Sequence, residues 1–300
     1  MWDDAIEDVL AGDLTAGLAY RTPAGGVVVQ AVAPIGLHDR EQRTVGFTTS
    51  LGFSKKLERI AKDPRVSLAF HARRHGFSRS SLYVLAQGTA RVISNPSLGQ
   101  RAQVTTLAGQ YLGKQKTGLF WDRWLREYYV SRVPVVIDIE RLVVWPDLRC
   151  AGEPRVIGKP LPDGAPPPQA PPKNGTHPRL DVVVAERRLR ATDHVLLGYG
   201  GADGFPVVLP VEPGARTVDG LELRCAAPLP PGGRRAGLLG HSYRPQLIGL
   251  ETRQHTGWLD GITYAPHTEV GYRAPANKTL LLLVNGHMAR KGVRRGARAQ

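Results

Sequence analysis

A repeat inside the chain limits its architecture more than any other feature. Tyr20 and Tyr199 lie 179 residues apart, and the same offset joins Gly25 to Gly204, Val28 to Val207, Val29 to Val208 and Pro34 to Pro213. The segment "AYRTPAGGVVVQAVAP" therefore lies over "GYGGADGFPVVLPVEP". At this offset Lys56 falls on Arg235, and one further residue brings Arg73 onto Arg253 and His75 onto His255. A unit that recurs along a chain is expected to fold more than once. The 300 residues thus read as two copies of one domain, the second more divergent, in line with the length expected for two domains. The glycines of "GYGGADG" are assigned to the hairpin turn that the repeat gives them, since no Walker lysine follows.

Local patterns give each copy its content. Trp2, Ala5, Ile6, Val9 and Leu10 mark the buried face of a first helix. "LAYRTPAGGVVVQAVAP" is a strand, a Pro/Gly turn and a strand. "TVGFTTS", "VSLAFHA", "LYVLAQGTARVI" and "VPVVIDIERLVVW" are further strands. Val104, Leu107, Ala108 and Tyr111 indicate another helix. About six strands joined mainly as hairpins favour an antiparallel barrel over a doubly wound parallel sheet. The run from Gly158 to Pro178 is Pro-rich and aperiodic, and is expected to be extended and semi-rigid. The expected divisions are a first domain at 1–150, a linker at 151–178, a second domain at 179–290 and a basic tail at 291–300.

The net charge of +14 directs attention to anionic partners such as phosphorylated cofactors, nucleic acid or a membrane surface. The longest apolar run, Thr279 to Val284, is far too short to cross a bilayer. The acidic start lacks the order of a signal peptide, so a cytoplasmic location is expected. Two cysteines, Cys150 and Cys225, make no disulfide framework. No HxH, HExxH or Cys/His spacing appears, so no metal site is expected. The histidines His241, His255, His267 and His287, and the neighbours His267 and Glu269, read as satisfied side chains rather than ligands or a proton-transfer pair. "GKQKTGLFWDRWLREYY" mixes basic and aromatic residues, which suits single-stranded nucleic acid. It reads better as an amphipathic helix or a lid, and no specific nucleic-acid partner is expected.

One short stretch carries the chemistry. In "FSKKLERIAKDPRVSLAF", Leu57, Ile60 and Ala61 share a helical face, Ser54 is a natural N-cap, and Asp63-Pro64 ends the helix. Lys55 and Lys56 then sit in the first turn, where the helix dipole disfavours cations. An anion at that position removes the conflict, because helix-start N–H groups already favour phosphate and the lysines add charge-assisted bonds. Thr48, Thr49 and Ser50, ending the preceding strand, add hydroxyl donors. Arg234-Arg235 is the corresponding basic pair of the second copy.

With its flanks, "FTTSLGFSKKLERIAKDPRVSLAF" resembles the flavin-phosphate segment of the pyridoxamine 5'-phosphate oxidase family. "LYVLAQGTARVI" and "VPVVIDIERLVVWPD" fit the same pattern. The resemblance implies a mainly β (α+β) fold: two tandem split β-barrels with short helices, forming a pseudo-dimer within one chain. It implies FMN or the deazaflavin coenzyme F-420 as cofactor, and, less favoured, haem with His71 or a second-half histidine as axial ligand. Thr48, Thr49, Ser50, Ser54, Lys55 and Lys56 would hold the cofactor phosphate, and Val29 and Gln30 would border the ring. Arg234, Arg235 and the stacking candidate Trp258 would serve the second site. The family's C-terminal Arg-x-His motif is missing near residue 150. The implied function is a flavin- or deazaflavin-dependent oxidoreductase acting by hydride transfer on a small molecule, with no catalytic side chain singled out. The alternative is a non-catalytic flavin or haem carrier. Either is expected as a monomeric pseudo-dimer or a homodimer.

Overall fold

The computed structural model describes residues 1–51, 54–130 and 132–296, with backbone alone for Ser54 and 292–296. Helix α1 (Asp4–Gly12) opens the chain, its N-terminus capped by the Asp3 carboxylate accepting from the Ile6 N–H. Trp2, Ile6, Val9 and Leu10 are buried as expected, whereas Ala5, at the edge of that face, is exposed. The first sheet then contains β1 (Ala16–Arg21), β2 (Val27–Val32), β3 (His38–Asp39), β4 (Thr44–Ser50), β5 (Arg65–Phe70), β6 (Tyr83–Val92), β7 (Arg132–Trp145) and β8 (Arg155–Gly158). Helix α2 (Ser54–Lys62) joins β4 to β5, while α3 (Leu98–Leu112) and α4 (Leu119–Val130) join β6 to β7. In α2, Ile60 is buried and Leu57 packs on the core. Ala61, expected on the same face, is exposed.

After α5 (Val182–Arg190), the second sheet contains β9 (His194–Gly200), β10 (Pro206–Pro210), β11 (Glu212–Thr217), β12 (Gly220–Arg224), β13 (Gly233–Ser242), β14 (Glu251–Asp260) and β15 (Thr263–Arg273). Helix α6 (Lys278–Gly296) closes the described chain, so the residues expected as a basic tail from 291 continue a helix as far as 296.

The two sheets share one topology. Their orders are β2-β1-β5-β6-β7-β4-β3 and β10-β9-β13-β14-β15-β12-β11, all antiparallel, with β8 added beside β7 in the first. Each sheet curls into a split barrel. The repeat also holds in register: Tyr20 pairs with Val28 as Tyr199 pairs with Val207. The turn glycines Gly25 and Gly204 both take the left-handed φ that side chains disfavour, +77° and +86°. Both barrels carry a bulge at one place, after Gln87 in β6 and after Thr256 in β14. A Cβ on the next residue would lie 2.1 Å from the Asp138 carbonyl oxygen at Gly88, and 2.2 Å from that of Ala265 at Gly257. Close backbone approach therefore requires glycine at both positions.

The register corrects the alignment further along. Leu18 pairs with Leu68 as Leu197 pairs with Leu238, so the offset falls from 179 at the first strand to 170 at β5 and β13. Arg235 thus corresponds to Arg65, not Lys56. The pairing of Arg73 with Arg253 and His75 with His255 fails for the same reason, because both partners lie on β14, the counterpart of β6.

The barrels pack face to face. Val29, Ala69, Tyr83 and Leu85 of the first share a buried cluster with Leu196, Leu197, Val208 and Leu238 of the second. The Tyr83 hydroxyl donates to the Val208 carbonyl at 2.7 Å, and the Ser67 hydroxyl donates to that of Pro206. Residues 159–180 run as an extended strap. The strap is fixed to the second barrel by the Gln169 N–H donating to the Gly233 carbonyl, and to the first by the Gln169 side-chain amide donating to that of Gly25. Within the stretch expected as linker, β8 pairs with β7 because Val156 and Ile157 pack on the core.

Candidate functional site

The region around the start of α2 is built by β4, β7 and that helix. In β4, Thr48 and Thr49 are both buried and lie opposite Pro134 and Val133 of β7, while Ser50 lies opposite Arg132. This pairing brings Arg132, far away in sequence, to the strand end that precedes α2. Its guanidinium donates to the Thr48 hydroxyl at 2.9 Å and to the Tyr128 hydroxyl at 2.8 Å, and lies over the Tyr128 ring. Lys56, on the first turn of α2, reaches inward with its ammonium 5.6 Å from the Phe47 ring centre. Burial, and then the nearby Arg132 charge, push the Lys56 ammonium down to about 8. Two cations thus share a partly buried position. Lys55, beside them in sequence, points to solvent. The side chain of Ser54, and with it the expected N-cap, lies outside the described residues, as do Gly52 and Phe53.

Two buried polar atoms here lack a partner, the Thr49 hydroxyl oxygen and Arg132 Nε. A donor left unpaired in a buried place costs about 1–3 kcal/mol. An oxyanion accepting from Arg132 would offset that cost there and the repulsion between Lys56 and Arg132. The donor set of hydroxyl, ammonium and guanidinium at a helix start suits a phosphate. Sequence reasoning missed Arg132, because its proximity to Thr48 is created only by the β4–β7 pairing.

The other expected site residues lie elsewhere. Val29 is fully buried in the core between the barrels, its methyl groups against the Gly17 and Gly198 backbones, so it borders no open ring site. Gln30 is half-buried, and its amide donates to the Gln254 side chain at 3.1 Å, across the two barrels. Arg234 and Arg235 open the strand β13 rather than a helix. Arg234 is 1% exposed and donates to the carbonyls of Pro166 and Pro231. Arg235 holds the Gln169 side chain and the Ala170 carbonyl. The second-copy pair is therefore taken up in fixing the strap. Trp258 is 6% exposed beneath Gly233, so it presents no open stacking face.

A second feature missed at the sequence level lies between the barrels. His71 and His241 are equivalent under the offset of 170, and their Nε2 atoms share a hydrogen bond of 2.7 Å. The His71 Nδ1–H donates to the Ala69 carbonyl, so His71 Nε2 accepts from His241. His194 and Tyr243 pack against the pair. Burial lowers all three imidazoles, His71 to about 3. His71, buried with both nitrogens engaged, offers no axial position to haem. Among the described residues no group of three or more His, Cys, Asp or Glu is placed to hold a metal ion. His267 sits at the β15 bulge against the Thr176 carbonyl, whereas Glu269 pairs with Arg188 and Arg253, so the two form no proton-transfer pair.

No family model and no curated protein matches the chain. Solved structures do resemble it. A conserved hypothetical protein from Mycobacterium tuberculosis is 21% identical, with 50% of this chain and 87% of that chain covered and a TM-score of 0.38. An F-420 reductase is 19% identical, with coverages of 45% and 94% and a TM-score of 0.34. A pyridoxamine 5'-phosphate oxidase-related, FMN-binding protein from Nostoc punctiforme is 12% identical, with coverages of 71% and 97% and a TM-score of 0.33. At these identities the likeness concerns the fold alone, and the functional argument rests on the residues described above.

Proposed function

We propose that the chain is a flavin- or deazaflavin-binding oxidoreductase with a single cofactor site, in the first barrel. The observation that carries this reading is the pairing of Lys56 with Arg132 beside Thr48 and the unpartnered Thr49 hydroxyl. Lys56, Arg132 and the two threonines hold the cofactor phosphate, with the α2 N–H groups behind them. When bound, the cofactor supplies hydride transfer to or from a small organic substrate. The protein's part is to anchor and orient it. FMN and F-420 both present a phosphate, and both suit this anchor. The chain works as a cytoplasmic monomer in which the first barrel, extended past residue 150 by β8, and the second at 179–290 take the places of two subunits.

Fluorescence titration with FMN and with F-420 tests the reading. Wild type is expected to bind one of them, and Lys56→Ala and Arg132→Ala each to weaken binding about tenfold or more, the scale of a lost charged hydrogen bond. Wild type that takes up neither cofactor would end this reading. Binding without turnover against any reductant would leave the anchor standing and make the protein a carrier.

A further inference from the structure

A second binding position lies on the far side of Arg132. A cleft of about 270 Å³ runs between α3, α4, the start of β7 and the first turns of α6. Its floor is apolar. Val104, Ala108 and Leu112 recur every fourth residue along one face of α3, and Leu282 of α6 joins them. Its polar lining carries one sign of charge: among the described residues Arg101, Lys114, Arg132 and Lys278 border it, and no Asp or Glu does. Lys278 is held toward the cleft by donating to the Gln246 side chain at 2.7 Å, which fixes its ammonium beside Gly113. Arg101 is turned by its Nε donating to the Pro96 carbonyl at 3.1 Å. The volume falls just below the range of about 300–1,000 Å³ usual for ligand pockets.

The cleft depends on the duplication. Its α3 and α4 walls come from the first copy, and Lys278 and Leu282 come from the helix that follows the second. That helix is fixed by the Trp124 indole N–H donating to the Leu283 carbonyl at 3.2 Å, and by the Lys116 ammonium donating to the Thr279 hydroxyl at 2.7 Å. An apolar floor with cations at its edge and no acid matches a small molecule that is apolar in its body and anionic at one end. The body leaves water against Val104, Ala108 and Leu112, and the anion meets cations without a competing carboxylate.

We propose that this cleft binds a compact amphiphilic organic acid, a carboxylate with an apolar body, beside the phosphate anchor. The proposal adds a ligand class to the cofactor reading, and the two fail separately because Lys56 borders the anchor alone.

Calorimetric titration of the full chain with sodium octanoate, and with uncharged octanamide, tests it. Octanoate is expected to bind saturably at one per chain, with octanamide at least about tenfold weaker. Lys278→Glu, a change at a half-exposed residue, should weaken octanoate about tenfold or more. Ala108→Trp, which fills the floor, should abolish binding at an unchanged melting temperature. Lys56→Ala should leave octanoate binding intact while flavin binding falls. Wild type without saturable octanoate binding would overturn the proposal. So would equal affinity for octanamide, or an unchanged affinity in Lys278→Glu. Octanoate binding in a chain that takes up no flavin would overturn the cofactor reading and keep the cleft.

Discussion

The connections that precede the equivalent strands β5 and β13 differ at the place where the first barrel builds its candidate site. In the first barrel, fourteen residues (51–64) separate β4 from β5 and include α2, which brings Lys56 near Arg132. In the second, residues 225–232 are shorter by six and hold no helix, and β13 begins at once. Both connections are followed by an arginine at the strand start, Arg65 in one and Arg235 in the other. Arg65 pairs with Asp63, and its guanidinium reaches the Asp203 carbonyl in the second barrel's first turn. Arg235 binds the Gln169 side chain, whose amide reaches the Gly25 carbonyl in the first barrel's first turn. The arginines were kept for holding the barrels together, whereas the helix that builds an anion position exists once. On the proposed reading, a duplicated fold retains its interface in both copies and its site in one.

Substitutions of the basic residues are the strongest way to break this contrast. Lys56→Ala with Arg132→Ala is expected to weaken flavin binding by more than the roughly tenfold of either single change, with about 1 kcal/mol lost from stability as Thr48 and Tyr128 lose their donor. Arg234→Ala should do the reverse. It leaves the carbonyls of Pro166 and Pro231 without their donor and lowers stability by about 1–3 kcal/mol, read by urea unfolding, with flavin affinity unchanged. A flavin affinity that follows Arg234 would put a working site in the second barrel.

The glycine pair sharpens the shared part of the comparison. Gly88→Ala and Gly257→Ala press a methyl onto equivalent carbonyls, and each should cost about 1–3 kcal/mol. Unequal losses would mean that one barrel contributes little to the folded chain's stability.

Acid should part the barrels at the histidines. His71 and His241 titrate below their unfolded value near 6.5, so the folded chain binds fewer protons there. Their contribution is fully present above pH 6.5 and is lost as pH falls, by about 1.4 kcal/mol per pH unit for each. His71→Gln with His241→Gln should flatten stability between pH 6.5 and 4.5. A slope unchanged in the double variant would assign acid sensitivity elsewhere.

The smallest effect concerns Lys56. Burial and the Arg132 charge lower its ammonium to about 8, and a bound phosphate favours the charged form. Flavin affinity should therefore decline as pH rises through about 8. Lys56→Arg, which keeps its charge, should remove that decline.

Much of this organisation was legible in the chain. The 179-residue offset located the first hairpin of both barrels, because turn glycines and alternating valines are local signals. The helix start at Lys55-Lys56 was legible through the conflict between two cations and the helix dipole. Arg132 was not, since only antiparallel pairing of β4 with β7 places it near Thr48. The role given to Arg234-Arg235 failed because a constant offset was carried across a net loss of nine residues, six of them in the connection before β13, of which the basic pair alone gives no sign. His71 and His241 were within reach: "SLAFHARR" lies over "GLLGHSYR" at the offset of 170, once the shortened connection is allowed for. The cleft beside Arg132 had no sequence signal, because its walls come from α3, α4, β7 and α6.

The central claim is one cofactor position in a chain with two barrels, and the number of flavins bound per chain tests it most directly. Titration of purified protein of known concentration, with solution mass measured on the same sample, gives that number. The account predicts a monomer that binds one equivalent and loses it in Lys56→Ala with Arg132→Ala. Two equivalents per chain, or one that survives the double substitution, would contradict it.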